Sequence, residues 1–411
     1  MKINTLLKRE PFEEIFEKTI SMFLEDLTGN HHKVTWVNND LFKPSSNSGQ
    51  LWYCNPLINS LFVKGVSPKV FESINGEYLN NPLRPWRSAF QRFYLLLSQF
   101  PATSVLMSKY RVSISPPIEN AKTKLIIGGN TKIRVIDIVN RTVYVILKSG
   151  FDESFLEKDI YVRSNFPYLP MPKVYEHGGN GLWYREEYVS GVSPNRMKKE
   201  KSRLVLLQSI KHIHRMLCES KRKEVVMDYA LALHGRILSG LNSLSYLDEN
   251  LKKGVLAISL ALIRQLEQYA HYSIDIAYCH GDFHQGNILS SKDNFWILDW
   301  EHSGYRQIGY DLFVLLLESR MESQYASRFS RFFDSQWIEG QKYLMKGWPG
   351  LDGGEKLFQE MYLAIFLLEE ISFQVDEKNN RIFFRDSNVL ANYYREWKVA
   401  VVSSDWDISI D

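Results

Sequence analysis

The stretch YCHGDFHQGNIL, Tyr278 to Leu289, places His280, Gly281, Asp282, His284 and Asn287 within eight positions. A carboxylate and a carboxamide five positions apart on one loop suit phosphoryl transfer, which needs an acid beside the acceptor hydroxyl and an oxygen ligand for Mg²⁺ close by. The next element strengthens that reading. In FWILDWE an apolar strand, Phe295 to Leu298, ends on Asp299, and a strand end is a rigid mount for a metal ligand. Mg²⁺ takes hard oxygens, keeps several waters and bridges nucleotide phosphates, so Asn287 and Asp299 suffice on the protein side. Glu301 is a second carboxylate, placed to act through water.

Upstream of the loop, the chain from Lys124 reads as KLIIGG, KIRVIDI and TVYVILK, three strands rich in β-branched residues and joined by short turns. That pattern predicts an antiparallel meander. The stretch ESFLEKDIYVRSNF then predicts a helix, and MPKVYEHG with GLWYREEYVSG predicts two more strands. From about Ser193 the periodicity is helical, over Ser202 to Cys218, Tyr229 to Leu241, Leu251 to Tyr272, Tyr310 to Ser319 and Glu355 to Gln374. A small β lobe thus precedes a larger helical lobe, an α+β arrangement. Ser115-Pro116-Pro117 restricts the backbone and removes amide donors, which predicts a boundary. We divide the chain into an N-terminal accessory region of unread role (1–118), the β lobe (119–190) and the helical lobe (191–411).

Composition narrows the partners. Fifty Lys and Arg against 47 Asp and Glu leave a net charge of +3, which selects neither nucleic acid nor a polycation. Cys54, Cys218 and Cys279 lack the spacing of a zinc site or a disulfide framework, and the N-terminus lacks the apolar run of a signal peptide. The expectation is a cytoplasmic protein with reduced thiols and no membrane span. Aromatic residues make up 13% of the chain, flat faces suited to core packing and to stacking on sugars or cations.

HGDxHxxN followed by a hydrophobic strand ending in DWE resembles the aminoglycoside phosphotransferase and choline kinase group, whose two-lobed fold is related to protein kinases. The likeness runs from about Lys124 to Leu317. It implies a phosphotransferase that uses ATP and Mg²⁺ to phosphorylate a hydroxyl of a small molecule: a sugar, a glycan or an amino alcohol. By that resemblance Asp282 is the catalytic base, Asn287 and Asp299 hold magnesium, His280 is structural, and Asp311 of the GYDL motif braces the catalytic loop.

The resemblance also assigns the nucleotide site. Lys148, ending the third strand, is expected on the α and β phosphates, oriented by a helix acid, with Glu157 favoured over Asp159. Without the resemblance Lys148 reads equally as a surface lysine at a strand end. Gly128 and Gly129 form a hairpin turn whose amides are able to approach phosphate, although a two-glycine turn also simply reverses the chain. REEYVSG resembles the linker between lobes, with the Glu187 carbonyl and the Val189 amide on the adenine. Glu186 then stands where an apolar residue is usual. The competing reading is a pseudokinase scaffold, but Asp282, Asn287, Asp299 and Lys148 are all retained. An aminoglycoside site calls for acids, and the candidates Glu318, Glu360, Glu369 and Glu370 are scattered.

Overall fold

A computed structural model describes residues 2–38, 49–71, 85–100, 103, 106–292, 294–321, 323–346, 348, 356–380, 382–384, 386–402, 404 and 406. The expected start of the last helix at Glu355 lies outside them. Two helices open the chain, α1 (Ile3–Arg9) and α2 (Phe12–Thr28). Strands β1 (Lys33–Asn38), β2 (Gln50–Asn55) and β3 (Ser60–Val63) follow. Helix α3 (Pro85–Gln99) precedes β4 (Tyr110–Ser115). The expected meander is β5 (Lys124–Gly128), β6 (Lys132–Asp137) and β7 (Thr142–Leu147). Helix α4 (Ser154–Asn165), β8 (Val174–His177) and β9 (Trp183–Glu187) complete the lobe.

These strands form one sheet in the order β1-β4-β2-β3-β5-β6-β7-β9-β8. The division expected at residue 118 falls between β4 and β5, and sheet pairing crosses it: Ser60 lies opposite Ile127 and Leu61 opposite Ile126. Alternation along each strand decides what each face buries. Ile133 and Val135 of β6 and Ile146 of β7 pack with Ile3 and Leu6 from α1 and Phe12, Phe16 and Ile20 from α2. Ile136, Val143 and Val145 point the other way, onto Leu156 of α4 and Phe62 and Phe71. Each such buried side chain contributes roughly 1.5–3 kcal/mol, so the N-terminal helices are a structural face of the lobe.

The helical lobe comprises α5 (Lys199–Glu219), α6 (Val226–Ser243), α7 (Glu249–Glu267), α8 (Tyr310–Leu317), α9 (Tyr325–Ser330), α10 (Ser335–Met345), α11 (Lys356–Lys378) and α12 (Asn388–Val402). Beside them β10 (Arg222–Val225), β11 (Ser273–Cys279) and β14 (Gly304–Gln307) form a small sheet, and β12 (Ile288–Ser290) pairs with β13 (Phe295–Ile297). The two-lobed α+β architecture is the one expected. Among the described residues no helix is long and apolar enough to cross a membrane.

One acid in this core makes a pH prediction. Glu369 of α11 is 1% exposed, and its Oε1 accepts from the Tyr229 hydroxyl and the Gln307 amide at 2.5 and 2.9 Å. Burial pushes its carboxyl up from 4.5 to about 8, against the pull of Arg306. Between those values the folded chain holds a proton that the unfolded chain releases, so the contribution to stability falls as pH rises through that window. In Glu369→Gln, which keeps the accepting oxygen, the drop in melting temperature between about pH 5 and about pH 8.5 should be smaller than in the wild type. An unchanged drop would show that Glu369 is ionised in the fold.

Candidate active site

The catalytic loop is built outward from a glycine. Gly281 has φ +81°, and a Cβ there would collide with the His302 carbonyl, so only glycine makes this turn. The His280 and Gly281 amides donate to the Asp311 carboxylate at 2.7 and 2.9 Å. Asp311 is buried in the first turn of α8, so the loop is bolted to a core helix. His280 is equally buried: its Nε2 donates to the Leu298 carbonyl at 2.9 Å, its Nδ1 accepts from the Asp282 amide at 3.3 Å, and its ring lies 4.3 Å from Trp300. Burial lowers its pKa, keeping the imidazole neutral in that tautomer.

Asp282 is held at both oxygens. Its Oδ1 accepts from Arg320 Nε at 2.8 Å and its Oδ2 from Asn287 Nδ2 at 3.1 Å, with His284 Nε2 at 3.5 Å. Arg320 also grips both oxygens of Glu370 at 2.9 and 2.8 Å, and donates to the Gly281 carbonyl at 2.6 Å. Burial opposes ionisation of Asp282, but His284 and Arg320 prevail and hold its carboxyl well below the usual range. Such a carboxylate is a weak base and a strong, fixed acceptor for a hydroxyl.

The β12–β13 hairpin brings the two candidate metal ligands together. Ile288 pairs with Ile297, and the Leu298 amide donates to the Asn287 carbonyl at 2.8 Å, leaving Asp299 one residue beyond. Asp299 takes a left-handed conformation, φ 60°, and the Trp300 amide behind it donates to Asp159 at 3.2 Å. Asn287 turns its amide nitrogen to Asp282, which leaves its oxygen for another partner. An amide oxygen beside a carboxylate oxygen is the hard donor set that Mg²⁺ takes.

The structure does not pair the expected lysine with the expected acid. Lys148 lies 0% exposed in an ion pair with Glu10, next to α1, and donates to the Asn130 carbonyl at 2.6 Å. Glu157 is exposed. The acid that α4 turns inward is Asp159, and its cation is Lys132 of β6, which also lies 3.3 Å from Glu301. The register explains the shift, because Lys132 and Arg134 fall on the face of β6 that looks towards α4. Glu301 accepts from Thr131 and faces Lys132, so it bridges the lobes instead of sitting free for water.

The remaining nucleotide expectations are placed as follows. Gly128 at the hairpin turn abuts Leu6, Phe12 and Ile3, and Arg9 of α1 donates to the Asn130 side chain and carbonyl at 2.9 and 2.8 Å. One side of that turn is therefore covered by α1. The Glu187 amide donates to the Lys173 carbonyl at 2.8 Å, and Val189 lies half-buried in the extended linker. Two bonds between Val192 and Ser290, 2.9 and 3.1 Å, close the linker onto the β12–β13 hairpin. Glu186 accepts from Arg163 at 2.6 Å, and burial pushes its carboxyl up to about 7. Of the scattered acids, Glu369 and Glu370 have internal partners. Sequence reading missed Arg320, Lys132, Arg134 and Glu10.

A cavity of about 530 Å³ opens on Asp282, with Lys8 and Arg9 of α1, Phe373 and Glu377 of α11 and Tyr393 of α12 in its wall. It holds both charges and several aromatic faces. The N-terminal region therefore shares a cavity wall with Asp282.

A fixed carboxylate beside an amide, followed by a second carboxylate, is an arrangement that suits phosphoryl transfer. Residues 160–353, which contain the whole catalytic loop, match the phosphotransferase enzyme family (APH). No curated protein matches the chain in sequence. Among solved structures, the chain is similar to a choline kinase from Cryptosporidium parvum at 12% identity, covering 69% of this chain and 91% of that one with a TM-score of 0.46. It is also similar to a choline/ethanolamine kinase family protein from Mesorhizobium loti at 16% identity, 77% and 95% coverage and a TM-score of 0.46. An aminoglycoside phosphotransferase in ternary complex with ADP and hygromycin B aligns at 15% identity, 69% and 94% coverage and a TM-score of 0.45.

Proposed function

We propose that this protein transfers the γ-phosphate of ATP, with Mg²⁺, to a hydroxyl of a small molecule: a sugar, a glycan or an amino alcohol. The observation that carries this reading is the ionised, doubly anchored Asp282 in the wall of a cavity, joined through Asn287 to the mount of Asp299. Asp282 orients the acceptor hydroxyl and takes its proton as the new bond forms. Asn287 and Asp299 would hold the metal, which supplies neutralising charge to the phosphates. The aromatic faces of Phe373 and Tyr393 suit a sugar ring or an alkylammonium group, with Glu377 as the charged partner for the latter.

Screening ATP consumption over sugars, aminoglycosides and choline analogues tests the activity and names the acceptor class; no turnover with any of them would count against this reading. The metal site has its own test in thermal stability. Mg²⁺ with ATP should stabilise the protein more than ATP alone, and at a hundredfold excess over its Kd the metal complex should add about 2.7 kcal/mol to the unliganded protein. In Asp299→Ala the metal-dependent part of that shift should vanish, and equal shifts in both proteins would remove Asp299 from the metal site.

A further inference from the structure

We infer that Arg134, and neither lysine of the β lobe, is the side chain that contacts the polyphosphate of the nucleotide; this rests on the nucleotide use proposed above. Three cations of the lobe are candidates for that contact. Lys132 has 1% of its side chain exposed and serves two carboxylates, Asp159 and Glu301. Lys148 has none exposed and serves Glu10 and the Asn130 carbonyl. A phosphate reaches either one only by opening a buried ion pair, which leaves a carboxylate stranded in the interior. Arg134 is different. Its side chain is 31% exposed, and its one carboxylate partner, Asp299, is 34% exposed.

Its position is equally telling. Arg134 Nη2 pairs with Asp299, while Nη1 lies 3.3 Å from where a Cβ on Gly129 would stand. The guanidinium therefore spans the space between the glycine turn and the carboxylate placed for metal. A larger residue at 129 would press on this group as well as on the Lys132 carbonyl, 2.7 Å from that Cβ. A guanidinium offers five N–H donors, so it matches phosphate oxygens in pairs where an ammonium offers a point charge. Exchange of partners keeps charge balanced: a metal–nucleotide complex brings a cation to Asp299 and an anion to Arg134. Until then each neutralises the other.

Calorimetry on the full chain separates this from a structural ion pair, using ATP and adenosine with EDTA present and with Mg²⁺. In Arg134→Met, affinity for metal-free ATP should fall roughly ten- to hundredfold, the worth of a charged hydrogen bond or two, while adenosine affinity stays the same. In Asp299→Asn, which removes the carboxylate competing for the guanidinium, metal-free ATP should bind more tightly than in the wild type. Unchanged ATP affinity in either variant overturns the inference alone. A wild-type protein that binds neither ATP nor adenosine overturns the proposed function and the inference with it.

Discussion

Asp282→Asn is expected to slow turnover on the true acceptor roughly a hundredfold to ten-thousandfold, the range over which a positioned general base contributes. Nucleotide affinity should change little, because the side chain lines the cavity and touches the hairpin that carries Asp299 through Asn287. Stability should not be spared. Both carboxylate oxygens accept, one from Arg320 and one from Asn287, and an amide at this position must turn its own donor towards one of those donors. Leaving one buried donor unsatisfied costs about 1–3 kcal/mol. Turnover must therefore be normalised to folded protein, with bound ATP as the measure. A variant that binds ATP and retains near-normal turnover would remove Asp282 from the chemistry.

The parts of the site that were legible in the sequence are those held within one short stretch. His280, Asp282 and Asn287 share a loop, Asp299 ends the hairpin that follows, and Asp311 opens the next helix, so local spacing together with the family resemblance relates them. The α+β lobes were legible for a similar reason, because strand and helix periods are local. The cations of the β lobe were not. Choosing Lys148 over Lys132 requires knowing which face of each strand meets α4, and that depends on packing between elements far apart in the chain. The alternation Lys132, Arg134, Ile136 against Ile133 and Val135 carried a signal, since it sets two charges among apolar residues on a sheet buried on both faces. The partners Glu10 and Lys148 lie 138 residues apart, and Arg320 and Glu370 lie 50 apart on different elements. No period or spacing announces such a pair.

Arg320→Met is expected to cost about 3–5 kcal/mol of stability, because it strands the Glu370 and Asp282 carboxylates that one guanidinium now serves. The more discriminating effect is on pH dependence. Asp282 is held well below the usual carboxylate range, with burial opposed by His284 and Arg320. A carboxyl lowered by folding adds stability above its unfolded pKa and loses it as pH falls through the folded one. It is likewise ready to accept a proton across the neutral range. Without Arg320, burial is opposed by the histidines His284 and His302 only, so the Asp282 pKa should rise and the acid limb of turnover should move to higher pH. Arg320→Lys keeps a charge but lacks the planar fork that reaches Asp282, Glu370 and the Gly281 carbonyl together, so its acid limb should fall between the two. Turnover followed from about pH 4 to about pH 9 should show the acid limb furthest into the window in Arg320→Met, less far in Arg320→Lys, and no limb from Asp282 in the wild type. If the variants lose turnover with no movement of the acid limb, Arg320 holds the fold of the loop and does not set the ionisation of Asp282.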